Sequence, residues 1–211
     1  MSKEVVIVDY GLGNLYSIGQ ACNHLGYSPV ISSSKEQILN SDYLILPGVG
    51  AFKVAIDHLT DRDLINTIKA FANSGKPIMG VCLGMQLLFD RSEEFGSHDG
   101  LGLIAGEIKK IPLQFEEQKI KIPHIGWNKL FHSQLEWSNT PLEQITEDNF
   151  MYFVHSYYAK PLDESNILSY TYYQGFKYCS SVQKNNIFGF QFHPEKSGEQ
   201  GLSIYKNFLS R

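Results

Sequence analysis

The sequence predicts an α/β fold with a three-layer, doubly wound and mostly parallel sheet of the flavodoxin-like kind, carrying an antiparallel extension. In the first half of the chain, short β-branched apolar segments alternate with helical segments, which is typical of a parallel sheet covered by helices on both faces. In the second half, several segments alternate apolar and polar residues, which favours antiparallel strands. A length of 211 residues suits one domain with a substantial core, so we expect a single domain over residues 1–211.

The first half is predicted to contain four strands separated by helices and turns. Strands are expected at residues 4–9, 29–31, 43–46 and around 78, and helices at 15–25, 34–39 and 64–73. Gly26 and Gly75 follow two of these helices, at the position where glycine commonly ends a helix. Because sites of open α/β sheets lie beyond the carboxyl ends of the strands, we expect the functional site near the turns that follow residues 46 and 79.

The second half is predicted to extend the sheet with hairpins. Strands are expected at residues 101–111, 119–130, 151–159, 168–173, 177–183 and 187–192, and a final helix at 201–209. This last helix is expected to pack back onto the sheet.

Composition argues against several classes of function. The net charge of −4 and the absence of a long basic block make nucleic acid an unexpected partner. The sequence shows no signal peptide and no apolar run near the roughly 18 residues that span a bilayer, so we expect a cytoplasmic protein without a membrane partner. Three cysteines at unrelated spacings indicate neither a disulfide framework nor a metal site, and no cofactor is expected.

A cysteine framed by glycines follows the fourth predicted strand. Residues 80–84 (GVCLG) have the form of a nucleophile elbow, in which glycines permit a sharp turn from a strand into a helix. A thiol at a helix N-terminus lies at the positive end of the helix dipole, which favours the reactive thiolate. Cys82 is therefore predicted to be a covalent nucleophile. Cys22 and Cys179 lack this frame and are interpreted as buried, unreactive side chains.

A histidine late in the chain is the predicted base. His193 ends a strand, Pro194 stops the pairing, and Glu195 follows. A cysteine nucleophile needs an imidazole and a third group that orients the ring, and a nearby carboxylate can do this. A lone histidine at a strand end is more often structural, but together with the elbow it favours a triad of Cys82, His193 and Glu195.

The glycine-rich turn at residues 47–50 (PGVG) is predicted to complete the site. The backbone N–H groups of Val49 and Gly50 can stabilise an oxyanion, and the N–H of Leu83, directly after the nucleophile, is the other natural donor. A phosphate-binding turn is disfavoured because the Lys-Ser/Thr of a P-loop is missing.

These segments together resemble the class I, triad-type glutamine amidotransferases over essentially the whole chain. The cysteine elbow GVCLGMQ and the late His-Pro-Glu carry this resemblance. Four further segments are similar to the glutaminase subunits of imidazole glycerol phosphate synthases: DYGLGNL at 9–15, PGVGAF at 47–52, PHIGWN at 123–128 and YFVHSY at 152–157.

The resemblance implies an activity, a substrate and a partner. Cys82 would form a γ-glutamyl thioester from glutamine, with His193 as base and Glu195 orienting it. Four residues would hold the amino acid moiety, partly through backbone groups: Gln86, His155, Ser156 and Tyr157. Ammonia would pass to a (β/α)8-barrel cyclase (synthase) subunit in a heterodimer, which forms imidazole glycerol phosphate and aminoimidazole carboxamide ribotide in histidine biosynthesis.

The sequence also contains a candidate surface for that partner. Residues 123–127 have the apolar and aromatic composition of an interface, although a core strand explains them equally well. On the interface hypothesis, five residues face the synthase: Asn14, Trp127, Asn128, Tyr152 and Lys196. Rotation of the Val49 peptide between its two glycines would present or withdraw an oxyanion N–H, which would leave the isolated chain nearly inactive.

Three other functions are compatible with the sequence. A paralogous glutaminase subunit would supply ammonia for sugar amidation in surface polysaccharide synthesis, and complementation of a histidine auxotroph separates it from the favoured function. A free-standing cysteine hydrolase, such as a γ-glutamyl peptidase, would act without a partner. A non-catalytic binding domain would leave Cys82 unlabelled by glutamine analogues, but the intact triad disfavours it.

Overall fold

Strands and helices alternate through the first half of the chain. A computed structural model describes residues 3–211 of the 211-residue sequence. The elements are β1 Val5–Val8, α1 Leu15–His24, β2 Val30–Ser32, α2 Lys35–Asn40, β3 Tyr43–Leu46, α3 Phe52–Asp61, α4 Ile65–Asn73, β4 Ile78–Val81 and α5 Leu83–Leu87. Strands β1, β3 and β4 are buried along their whole length, as expected for strands covered on both faces. The predicted alternation is therefore confirmed.

Helix α3 is the difference in this half, since the sequence pattern predicts no helix between residues 46 and 64. Its buried residues Phe52, Ala55 and Leu59 follow helical spacing. Its N-cap residue, Ala51, makes no side-chain capping bond, so the usual start signal is missing. The helix begins two residues after the glycine-rich turn and so fixes the far end of that turn.

The second half consists of short strands and one long helix. The elements are β5 Phe89–Ser92, β6 His98–Asp99, β7 Ile104–Lys110, β8 Gln114–Phe115, β9 Gln118–Lys119, β10 His124–Lys129, β11 Phe131–His132, β12 Phe150–His155, β13 Tyr157–Pro161, β14 Ile167–Tyr173, β15 Phe176–Lys184, β16 Ile187–Phe190 and α6 Gly198–Leu209. The predicted strands at 119–130 and 151–159 are each divided in two, and β5, β6, β8 and β11 are additional. The division between β12 and β13 falls at Ser156, where the chain leaves one sheet for another.

A twelve-stranded sheet organises the molecule, in the order β2-β1-β3-β4-β16-β15-β13-β7-β5-β6, with β14 on β15 and β11 on β14. Along this order the strands from β2 to β16 pair in parallel, and β15 begins a part that is antiparallel except for the parallel β7–β5 pair. Strands β10 and β12 form a separate antiparallel pair. The α/β fold with an antiparallel extension is thus confirmed, except that the β10–β12 and β8–β9 pairs lie outside the main sheet.

Helices cover both faces of the parallel part, which gives two apolar cores. Ile38, Leu59 and Phe71, from α2, α3 and α4, belong to one core. Ile18 of α1 and Phe208 of α6 belong to the other. Within residues 3–211, no helix has both the length and the apolar character needed to cross a membrane.

The carboxyl ends of three neighbouring strands bring the predicted site together. Strands β3, β4 and β16 lie side by side and point the same way. The glycine-rich turn follows β3, Cys82 follows β4, and His193 follows β16. Since parallel strands end at one edge of the sheet, residues separated by more than a hundred positions meet there.

Candidate active site

Cys82 occupies a strained backbone position between β4 and α5. Its φ of 53° and ψ of −111° lie outside the regions that residues other than glycine normally occupy. Two hydrogen bonds hold it there: its N–H donates to the carbonyl of Phe190 at 2.7 Å, and its carbonyl accepts from the N–H of Gln86 at 3.2 Å. Such strain persists only where the surroundings enforce it, as is common at functional sites. The predicted elbow is present.

Helix α5 lies so close to the end of β3 that only glycine fits at position 84. A Cβ on Gly84 would lie 1.9 Å from the carbonyl oxygen of Leu46 and 3.0 Å from that of Pro47. This contact fixes the start of the helix against the glycine-rich turn. The nucleophile therefore lies directly beside the end of β3, where the predicted oxyanion turn begins.

His193 and Glu195 form a buried pair beside the elbow. The His193 side chain is 2% exposed and the Glu195 side chain is fully buried. His193 Nδ1 donates to Glu195 Oε1 at 2.8 Å, because a carboxylate can only accept. Nε2 of His193 is buried and has no hydrogen-bond partner within residues 3–211. The carboxylate thus orients the ring and leaves Nε2 for proton transfer.

Cys82 and Glu195 together raise the pKa of His193. Burial alone would lower this pKa, but the interaction with Cys82 and the hydrogen bond and charge of Glu195 outweigh burial and raise it to about 10. The protonated imidazolium is therefore favoured at neutral pH. By contrast, burial raises the pKa of the Cys22 thiol to about 12, in keeping with an unreactive side chain.

Gln191 is a neighbour of the thiol that the sequence pattern does not predict. Its side chain is fully buried, and its Nε2 lies 3.9 Å from Cys82 Sγ. Its Oε1 accepts from Nε2 of Gln86 at 3.0 Å. The only sequence signal for Gln191 is its place two residues before His193. It connects the nucleophile to a predicted substrate-binding residue.

The glycine-rich turn presents free backbone N–H groups beside the elbow. Gly50 has a φ of +98°, a value that a side chain makes unfavourable, and Val49 is 41% exposed. The carbonyl of Pro47 is held by the hydroxyl of Tyr10 at 2.7 Å. Among residues 3–211, no acceptor takes the N–H of Val49, Gly50 or Leu83. The turn can therefore supply oxyanion donors, as predicted from its sequence.

A cavity of about 640 Å³ opens at this edge of the sheet. Of the predicted site residues, nine line it: Cys82, His193, Val49, Gly50, Leu83, Gln86, His155, Ser156 and Tyr157. The structure thus brings together the predicted nucleophile, base, oxyanion donors and substrate-binding residues. Glu195 is not in the wall and lies behind His193.

Two charged residues of opposite sign in the cavity wall are not predicted from the sequence. Glu94 and Lys110 both line the cavity. Glu94 follows β5, and its Oε2 accepts from the N–H of Phe52 at 2.6 Å. The pairing of β5 with β7 brings both residues to the cavity, and no local motif marks either of them. A carboxylate and an ammonium in one cavity suit a zwitterionic amino acid.

Gln86 and His155 are bonded to other protein groups as well as lining the cavity. Nε2 of Gln86 donates to the Tyr157 carbonyl at 3.0 Å and to Gln191 Oε1 at 3.0 Å, while its Oε1 has no donor among residues 3–211. Both nitrogens of His155 are bonded, to the Tyr157 carbonyl at 2.8 Å and to the Tyr178 hydroxyl at 3.1 Å. Gln86 keeps an acceptor for a ligand, whereas the His155 ring supports the wall.

The residues predicted to face a partner divide into two groups. Trp127, Tyr152 and Lys196 cluster on the surface: the two rings meet edge-on at 5.8 Å, and the Lys196 ammonium lies 5.9 Å from the Tyr152 ring. Asn14 instead donates to Glu195 Oε1 at 3.2 Å, and Asn128 donates to the Tyr172 carbonyl at 2.8 Å. Asn14 is therefore joined directly to the triad carboxylate.

The geometry suits attack of a thiolate on a carbonyl carbon. It provides a strained nucleophile, an oriented imidazole, unpaired N–H donors and a cavity with one charge of each sign. Within the described residues, no cluster of three or more potential metal ligands occurs.

Comparison with known proteins identifies the family. The family model described as glutamine amidotransferase class-I matches residues 6–211. The chain belongs to the class I glutamine amidotransferase family. A solved structure, that of PurLQS from Thermotoga maritima, superposes with a TM-score of 0.72 at 21% identity, covering 100% of this chain and 99% of that one. At that identity the likeness concerns the fold alone.

Curated relatives match over almost their full length. One is the imidazole glycerol phosphate synthase subunit HisH 1 of Legionella pneumophila (strain Lens), 46% identical over 98% of this chain and 99% of the relative. Another is the subunit HisH of Bacillus cereus (strain B4264), 47% identical over 97% and 93%. The class I amidotransferase chemistry of the family agrees with the thiol, imidazole and carboxylate described above.

Proposed function

We propose that this amidotransferase is the glutaminase subunit of an imidazole glycerol phosphate synthase and consists of one domain. The observation that carries the proposal is the cavity in which Cys82 and His193 lie beside a carboxylate and an ammonium suited to free glutamine. The full-length similarity to HisH subunits supports the choice of acceptor reaction. As a subunit of a biosynthetic enzyme, the protein would act in the cytoplasm.

Before acylation the Cys82 proton already lies on His193 Nε2, in keeping with the raised pKa of this imidazole. The thiolate attacks the carboxamide carbon of glutamine, and the carbonyl π electrons move to oxygen. The N–H of Leu83 and those of the glycine-rich turn stabilise this oxyanion. The tetrahedral intermediate then expels the amide nitrogen, which takes the proton of His193 and leaves as ammonia. A γ-glutamyl thioester remains on Cys82.

Deacylation uses the same groups in reverse. His193, now neutral, accepts a proton from water while the water oxygen attacks the thioester carbon. The second tetrahedral intermediate expels the Cys82 thiolate and releases glutamate. Glu195 keeps the same ring nitrogen aimed at the reacting atoms in both steps, because its bond to Nδ1 fixes the ring.

The amino acid moiety of glutamine is held by the charged end of the cavity. Its ammonium is placed between Glu94 and the free Oε1 of Gln86, and its carboxylate toward Lys110. Ser156 and Tyr157 contribute the adjoining wall. A substrate with both charges is bound more tightly than a simple amide, since each charge meets its opposite.

Replacement of Glu94 by glutamine is expected to weaken glutamine binding. The variant removes the charge but keeps an oxygen for the Phe52 N–H, so the fold is preserved. A hydrogen bond between charged groups corresponds to roughly a ten- to hundredfold change in half-saturating concentration. The measurement is the concentration dependence of Cys82 labelling by an electrophilic glutamine analogue.

Glu93→Gln is the matched control for this change. Glu93 is adjacent in sequence, but it pairs with Lys109 at 3.0 Å and does not line the cavity. It is expected to label like the wild type. Equal labelling curves for Glu94→Gln and the wild type would remove Glu94 from the proposed ammonium site.

The proposed partner is a (β/α)8-barrel cyclase that forms a heterodimer with this chain and receives its ammonia. Trp127 and Tyr152 provide an aromatic surface with Lys196 beside it. The carbonyl of Tyr152 accepts from the N–H of His193 at 2.9 Å, so this surface is one hydrogen bond away from the triad. Asn128 is proposed to contribute at the margin of the same surface.

Alanine at Asn14 or Lys196 is expected to reduce partner-stimulated glutaminase activity. Asn14 supports Glu195, and Lys196 adjoins the triad carboxylate in sequence, so both changes disturb the link between docking and the base. The assay compares glutamate formation with and without the barrel subunit. If both variants associated and were stimulated like the wild type, this interface proposal would be abandoned.

Complementation of a histidine auxotroph that lacks its glutaminase subunit tests the proposed function. We expect growth without histidine for the wild type and none for Cys82→Ala. An expressed, folded chain that fails to restore growth but supplies ammonia for sugar amidation would contradict the proposed acceptor.

A further inference from the structure

A buried polar chain lies behind the wall of the cavity. His124 of β10 and His155 of β12 face each other across this strand pair, and the hydroxyl of Tyr178, on β15, lies between them. His124 Nδ1 is 2.8 Å from this hydroxyl, and His155 Nε2 is 3.1 Å from it. The three side chains are 2%, 6% and 2% exposed for His124, His155 and Tyr178. Three strands are joined at one hydroxyl.

The positions of the protons in this chain follow from its acceptors. The Tyr157 carbonyl can only accept, so His155 Nδ1, 2.8 Å away, carries a hydrogen. Burial lowers the pKa of His155 to about 3 and that of His124 to about 4, so both rings are neutral at pH 7. His155 Nε2 is then an acceptor and receives the Tyr178 hydroxyl hydrogen. The hydroxyl oxygen in turn accepts from His124 Nδ1.

The far end of this hydrogen-bonded row of side chains is the backbone that forms the glutamine pocket. The Tyr157 carbonyl accepts both from His155 and from Nε2 of Gln86 at 3.0 Å. The preceding carbonyl, of Ser156, accepts from the N–H of Ile111 at 2.9 Å. With both carbonyls held, the peptide groups of residues 156 and 157 have a fixed orientation where the chain passes from β12 to β13.

We propose that Tyr178 is a positioning residue for glutamine binding, whose hydroxyl joins His124 to His155 and thereby fixes the pocket backbone at Ser156 and Tyr157. Without the hydroxyl, the buried Nε2 of His155 loses its only donor within residues 3–211, and the ring shifts toward another partner. The bond to the Tyr157 carbonyl then weakens. Binding of the amino acid moiety is affected, whereas Cys82, His193 and Glu195 keep their contacts. The proposal rests on the proposed glutaminase function.

Tyr178→Phe tests this role because it removes the hydroxyl and keeps the ring. We expect roughly a three- to tenfold rise in the concentration of an electrophilic glutamine analogue that half-saturates Cys82 labelling, with the maximal labelling rate unchanged. Iodoacetamide, which needs the thiolate but not the amino acid pocket, is expected to react at the wild-type rate. This split separates weaker binding from a general loss of structure.

Tyr173→Phe is the matched control. Its ring stacks on His124 at 3.9 Å, but its hydroxyl donates to the Lys121 carbonyl and takes no part in the chain. It is expected to label like the wild type. If Tyr178→Phe does not fold, His124→Phe breaks the chain at its other end and keeps an aromatic ring at the same place; the same direction of effect is expected.

The outcomes distinguish this inference from the proposed function. Unchanged half-saturation in both Tyr178→Phe and His124→Phe would overturn the positioning role, as would an equal loss of iodoacetamide reactivity. A wild-type chain that the glutamine analogue does not label saturably would overturn the proposed function, and the positioning role with it.

Discussion

Replacement of Cys82 by alanine is expected to abolish glutamine hydrolysis and to lower the pKa of His193. Without the thiol no thioester forms, and loss of a nucleophile of this kind reduces kcat by roughly 10⁴-fold or more. The interaction with Cys82 helps to raise the His193 pKa to about 10 against the opposing effect of burial. Its removal leaves Glu195 alone against burial, so the pKa falls.

Two measurements on one pair of variants test this prediction. NMR titration of the His193 ring gives the pKa, and glutamate release in the complex with the synthase subunit gives the rate. Cys179→Ala is the control, because this buried thiol lies beside the Ser181 carbonyl and outside the cavity. Residual hydrolysis by Cys82→Ala at the wild-type rate, or an unchanged His193 pKa, would contradict the assigned pair.

Replacement of Gly84 by alanine is expected to lower the free energy of unfolding strongly, because the added methyl group has no room. The added Cβ would lie 1.9 Å from the Leu46 carbonyl oxygen and 2.8 Å from its carbon. Both atoms are backbone of a central strand, so no side chain can move aside. Overpacking of this kind costs about 1–3 kcal/mol and occasionally more, and we expect about 3 kcal/mol or more.

Gly19→Ala is the matched control for this change. Gly19 lies inside helix α1, and among residues 3–211 a Cβ there would meet no atom within 4 Å beyond its chain neighbours and the backbone of its own helix. Alanine is favoured over glycine in a helix by about 0.5–1 kcal/mol, so the variant is expected to be slightly more stable than the wild type. Urea unfolding gives both values. Wild-type stability of Gly84→Ala would show that α5 does not pack on β3 as described.

The catalytic parts of the site could be predicted from the sequence because each has a local signal. Cys82 is framed by glycines after a strand, and His193 is followed by proline and a carboxylate. The rule that sites lie at carboxyl strand ends then places both beside the glycine-rich turn, and the order β3-β4-β16 confirms this. Local backbone chemistry and strand direction were sufficient there.

The charged and supporting parts of the site depend on tertiary contacts and have no such signal. Glu94 and Lys110 reach the cavity because β5 and β13 pair with β7, a fact that no spacing in the sequence reveals. The role of the Tyr178 hydroxyl likewise depends on its hydrogen bonds to two histidines on other strands. A helix can also be missed when its N-cap residue has no side chain that can cap it, as is the case for Ala51 before α3.

The proposed transfer of ammonia is tested most directly by following the amide nitrogen of glutamine. A complex of this chain with the proposed barrel subunit is given glutamine labelled with ¹⁵N in the carboxamide, the substrate that this barrel would convert to imidazole glycerol phosphate, and excess unlabelled ammonium. We expect ¹⁵N in the imidazole ring of the product, and none when Cys82→Ala replaces the wild type. Release of the label to solvent, with a ring built from unlabelled ammonium or no ring at all, would contradict the proposed transfer.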